Sequence, residues 1–171
     1  MSTVVAAELV APVGSVIVFE PSPEMINIIQ QTLALNATPE VYDLRQTLIG
    51  PPLQVYTDKE IEDIDKTEEL PQCDLLLLDC EGAEYEIIEN LETRPQYVII
   101  ELHPDLVEHS PDAVLTAASQ YGYEIIHSAT YYGKPVTEKR LRELLARRSQ
   151  RQPDIDGKNV KNPIVVFERH M

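Results

Sequence analysis

Basic residues are scarce in this sequence: 14 lysines and arginines stand against 29 aspartates and glutamates, a formal net charge of −15 over 171 residues. So acidic a surface repels phosphate backbones and anionic lipids, which excludes nucleic acid and membrane surfaces as partners for most of it. Long apolar runs are missing too. Stretches such as residues 97–100 fall far short of the roughly 20 residues that cross a bilayer, so no transmembrane helix is expected. No lysine or arginine precedes the short apolar stretch at the N-terminus, where Glu8 sits, and this does not match a secretory signal. Only two cysteines occur, Cys73 and Cys80. Without the ligand spacing of a zinc site, they read as reduced thiols in or near the core of a cytoplasmic protein.

What is present suits a single domain over residues 1–171, with 43% hydrophobic residues to fill its core. Residues 75–78 are four consecutive leucines, a pattern that predicts a strand covered on both faces, as in a parallel α/β sheet. Residues 97–100 repeat it. Residues 16–19, 41–48, 123–127 and 164–167 read as further strands. Between them, Ser22-Pro23-Glu24 opens a helix with a cap, a proline and an acid, and its apolar stripe is Met25, Ile28, Ile29 and Leu33. Ala83, Ile87, Ile88 and Leu91 form the inner face of a helix over 83–91. Ser110-Pro111-Asp112 opens another, with Val114, Leu115, Ala118 and Tyr121 inward and Gly122 ending it. A charged helix over 138–148 turns Leu141, Leu144 and Leu145 inward. Residues 58–69 make an acidic connection and 152–162 a polar loop. Strands alternating with helices predict a mostly parallel sheet with helices on both faces.

The chemistry gathers at the strand ends. Asp79 falls at the carboxyl end of its strand, where open α/β sheets bind ligands, and Glu81 and Glu84 follow around a glycine. Glu101 ends the next buried strand, and His103 lies two residues beyond it. A carboxylate or imidazole here suits a general base, so Asp79 and His103 are the catalytic candidates. Glu81, Glu84 and Glu101 are candidates for holding a polar substrate. Glu84 also fits as a first-turn helix acid. Three carboxylates together also suit Mg²⁺ or Ca²⁺, although no recognisable phosphate-binding loop accompanies them and no metal site is assigned. His109, His127 and His170 have no partner at useful spacing. Between residues 138 and 151, six basic residues outnumber two acids, a solvated helix face or a patch for an anion.

The segments VIVFEPSPEMINIIQQTLALN (16–36), LLLLDCEGAEYEIIENL (75–91) and VIIELHPD (98–105) resemble the FkbM-type methyltransferases, in that order and across most of the chain. The resemblance implies a Rossmann-like fold, S-adenosylmethionine as cofactor, and O-methylation of a small-molecule or carbohydrate acceptor. It implies that Glu20 grips the cofactor ribose, as an acid at the end of a second Rossmann strand can. It also places Asp79 beside both the transferred methyl group and the acceptor. The family's opening strand and glycine-rich turn, of the D-x-G-x-x-x-G kind, have no counterpart here: Gly14 is the only glycine before Glu20. The expectation is therefore an N-terminally incomplete, truncated domain. Its two flanking strands pair directly, or residues 2–6 supply a substitute strand, or another chain fills the gap, with homo-oligomers forming through exposed strand edges. A catalytically silent interaction module is the alternative.

Overall fold

The computed structural model describes residues 2–36, 41–50, 64–65, 67–103, 109, 111–130, 133–149 and 162–170. They fall into two compact units, residues 1–66 and 67–171. Most of the acidic connection, the loop over 152–161, Pro104 and the cap expected at Ser110 lie outside the described residues.

The first unit opens with helix α1 (Ser2–Val10), where a substitute strand was one expectation. Ala6, Ala7, Glu8 and Leu9 are good helix formers, and Ala7 is fully buried. The chain leaves α1 through Gly14, whose N–H donates to Val10 O at 2.8 Å. A Cβ on Gly14 would stand 2.7 Å from Val10 Cβ, so a side chain does not fit there. Strand β1 (Val16–Phe19) pairs in parallel with β2 (Tyr42–Arg45). Helix α2 (Pro23–Leu35) joins them, with Ser22 Oγ accepting from the Met25 N–H and Pro23 in the first turn, as the sequence predicts. Its stripe is only partly covered: Leu33 is buried, while Met25 and Ile28 are exposed. The strand expected over 41–48 is broken. β2 ends at Arg45, and β3 (Leu48–Ile49) pairs instead with β4 (Ile64–Asp65).

The second unit is built on four strands in the order β5 (Leu75–Leu78), β6 (Tyr97–Glu101), β8 (Ile164–Arg169) and β7 (Tyr123–Ala129). β5 and β6 are parallel, but β8 runs antiparallel to both β6 and β7. The sheet is mixed, which corrects the expectation of a mostly parallel one. The last strand returns in the opposite sense and enters between β6 and β7 instead of extending an edge. β5 is also not covered on both faces: Leu75 and Leu77, which share one face of the strand, are 49% and 48% exposed, and laterally β5 pairs only with β6 among the described residues. The core lies elsewhere in the unit. Ala83, Ile87, Ile88 and Leu91 at helix α3 (Glu84–Glu89) are buried, as are Val114, Leu115 and Ala118 of α4 (Pro111–Gln120) and Leu141, Leu144 and Leu145 of α5 (Glu138–Ser149). They join Val98, Ile100, Val165 and Phe167 of the sheet in the buried set. Gly122, at φ 82°, ends α4 in the left-handed conformation that glycine alone adopts freely. Among the described residues no helix is long and apolar enough to cross a membrane.

Candidate functional site

Parallel pairing of β5 with β6 sets Leu78 beside Ile100, so both strands deliver their carboxyl ends to one edge. Asp79 leaves β5 there, and Glu101 and His103 leave β6. Between β5 and α3 the chain reverses through Glu81 at φ 51° and Gly82 at φ 110°. Two successive left-handed residues make the tight turn, and the first is not a glycine. A non-glycine residue in this region is uncommon and carries strain.

Four carboxylates surround the His103 imidazole. Glu84 Oε1 lies 2.6 Å from Nδ1, while Asp79 Oδ1, Glu81 Oε2 and Glu101 Oε1 lie 3.4, 3.6 and 3.9 Å from Nε2. A carboxylate has no proton to give, so Nδ1–H donates to Glu84 and Nε2 faces the other three. His103 is 4% exposed and Glu84 is completely buried, at 0%. Glu84 Oε1 also accepts from the Gly82 N–H at 3.2 Å, which ties the turn to the imidazole. Its Oε2 is buried with no hydrogen-bond partner among the described residues. Glu101 is held from the far side by Asn162, whose Nδ2 donates to Oε1 at 3.1 Å.

Burial pulls the His103 pKa down, but the Glu84 hydrogen bond and the charges of Glu84, Glu81 and Asp79 outweigh it. The imidazole ends above its ordinary 6.5. The Cys80 thiol beside them is pushed well above 9.0, by burial first and then by the Glu84 and Asp79 carboxylates. A thiol that keeps its proton adds no further negative charge to the cluster.

The structure therefore brings Asp79, Glu81, Glu84, Glu101 and His103 together within the second unit. Glu20 belongs to the first unit, at the carboxyl end of β1, where its Oε1 accepts from the Ser22 N–H at 2.8 Å. Sequence reasoning did not find that Glu84 holds His103. The two are 19 residues apart, and a first-turn acid gives no sign of being buried. It also did not find the partners of His109, which stacks on Tyr85 with ring centroids 4.1 Å apart and pairs with Glu86 at 3.3 Å. His170 likewise pairs with Glu124 at 3.1 Å.

No curated protein matches the chain at a significant level. Residues 52–125 match the family model of the methyltransferase FkbM domain, a span that contains β5, α3, β6 and α4 and every residue of the His103 cluster, but not Glu20. On that match, the segment carrying the site is similar to the FkbM-type methyltransferases.

Proposed function

We propose that this chain is a methyltransferase domain acting on a hydroxyl of a small molecule or sugar, with the acceptor lodged at Asp79 in front of His103. The observation that carries the reading is the buried Glu84–His103 pair, with Asp79 at the carboxyl end of a parallel strand pair inside the family-matched segment. Methylating a hydroxyl requires its proton to leave. Asp79, with its side chain 55% exposed, is the member an acceptor reaches. His103 stands behind it, 3.4 Å away, as the place where the proton can rest. Its raised pKa makes it a stronger base than a free imidazole. Glu84 fixes the ring so that Nε2, not Nδ1, faces the acceptor. Glu81 and Glu101 accept hydrogen bonds from neighbouring hydroxyls of a polyol.

S-adenosylmethionine supplies an electrophilic methyl group when bound. The residues fit one end of it: Glu20, at the carboxyl end of β1, suits the ribose. For the methionine end no glycine-rich turn is present among the described residues, since Gly14 is packed against Val10. That favours a second reading, a catalytically silent module kept for interaction. Calorimetric titration of S-adenosylhomocysteine into the folded 171-residue chain separates the two. Micromolar binding that weakens at least tenfold in Glu20→Ala supports the enzyme. Absence of binding supports the module.

A further inference from the structure

We propose that Asp79, Glu81 and His103 form a site for a divalent first-row transition cation such as Mn²⁺ or Zn²⁺, with Glu84 orienting His103 towards it. The inference names an occupant for the same cluster: with a cation on Nε2, His103 would hold the cation and not the acceptor's proton, which a cation-bound hydroxyl would lose more readily, and only that consequence rests on the preceding reading.

The first argument is spacing. His103 Nε2 stands 3.4 Å from Asp79 Oδ1 and 3.6 Å from Glu81 Oε2. Charge-assisted hydrogen bonds of this type are about 2.7–2.9 Å long, so neither contact is one. Two atoms bound to one cation at about 2.0–2.2 Å lie roughly 2.8–3.6 Å apart, from octahedral to tetrahedral geometry. Both distances fall in that window. One ligand atom from each of the three residues lies within 4.8 Å of the other two, and the exposed Asp79 side chain is free to swing in and close the longest gap.

The second argument is the state of Nε2 itself. It belongs to a side chain only 3% exposed, makes no hydrogen bond among the described residues, and points at two carboxylates. A bare lone pair facing two anions is repelled, so a positive charge belongs between them. A cation supplies more of it than a proton does, and Glu101, at 3.9 Å, adds to the demand.

The third is the partner on the other ring nitrogen. A histidine that ligates a metal nearly always donates its second N–H to a carboxylate, which fixes the tautomer and raises its basicity. Glu84 at 2.6 Å from Nδ1 is that carboxylate. One imidazole and two carboxylates suit Mn²⁺, Fe²⁺ or Zn²⁺ better than all-oxygen Ca²⁺. Asp79 is exposed, so the remaining coordination positions open to solvent and leave room for an acceptor hydroxyl.

The test uses the full chain stripped with chelator, titrated calorimetrically with Mn²⁺ and separately with Zn²⁺, with the Mn²⁺ paramagnetic resonance signal as a second readout. Saturable binding of one equivalent is expected. Asp79→Asn and Glu81→Gln should each weaken it tenfold or more. Glu84→Gln, which leaves all three ligands in place, should weaken it about 10–100-fold. Circular dichroism establishes that each variant folds. If Glu84→Gln does not fold, Glu81→Gln, at a half-buried position, still decides. No saturable binding by folded protein, or several weak equivalents unchanged in Asp79→Asn, overturns the proposal. Cation binding without S-adenosylhomocysteine binding would leave this site standing and sink the methyltransferase reading. The reverse result would do the opposite.

Discussion

Glu81 keeps its backbone at φ 51° beside a glycine that adopts the same hand without cost. For an ordinary residue that conformation costs about 1–2 kcal/mol. Glu81→Gly removes the cost, while the looser unfolded chain takes back about 0.4–1 kcal/mol. We expect the variant to unfold at a slightly higher denaturant concentration, by up to about 1.6 kcal/mol, and to bind Mn²⁺ more weakly. A stability gain coupled to lost binding would identify Glu81 as retained for its carboxylate. Cys80 offers a second test at this scale. Its thiol pKa is raised in the folded state above the ordinary 9.0, so folding opposes its ionisation. Its contribution to stability is whole below pH 9 and is lost as pH rises towards the folded value, because unfolding frees the thiol to ionise. Cys80→Ala should flatten the alkaline limb of a stability profile measured above pH 9. The gathering of Asp79, Glu101 and His103 was legible in the sequence, because parallel neighbours must bring their carboxyl ends to one edge. The burial of Glu84 was not legible, since it depends on which residue packs above the helix start.

Among the elements, β5 shows where pattern reading stops. Four leucines in a row correctly signalled a strand, and their parallel partner was legible from the second apolar run. Cover on both faces was not: hydrophobicity says what a residue favours, not whether anything lies against it, and Leu75 and Leu77 stay half-exposed. The same holds for Met25 and Ile28 on α2, whose spacing correctly predicted a helix and overpredicted its burial. In α3, α4 and α5 the predicted inner faces are the buried ones, apart from Tyr121 just past α4, which is half-buried, because those helices have neighbours to meet. Among the described residues β5 is an edge strand, and an edge strand bearing exposed leucines favours self-association. We expect a Leu75→Thr/Leu77→Thr variant to stay folded and to lose concentration-dependent association in sedimentation velocity. Unchanged association would place the contact elsewhere. At the end of α1, Gly14→Ala forces a methyl against Val10 at 2.7 Å. Overpacking of this kind costs about 1–3 kcal/mol, readable as a lower unfolding midpoint.

On the scale of the whole molecule, a net charge of −15 sets the response to salt. Mutual repulsion opposes the folded state, and raising ionic strength from about 10 mM to 1 M shortens its reach from about 30 to about 3 Å. The melting temperature should rise across that range in differential scanning calorimetry, whereas a fall would mean that ion pairs such as Arg142 with Glu138 outweigh the repulsion. The strand order β5-β6-β8-β7 has a different consequence. The segment made last in the second unit is not trim on its border but the plank between two earlier ones. A ribosome must therefore release residue 169 before β6 and β7 can be joined, and until then each has an open side. Folding of this unit awaits the emergence of β8 from the ribosome, and a stop codon placed before residue 162 should leave an aggregation-prone chain, not a slightly shorter protein.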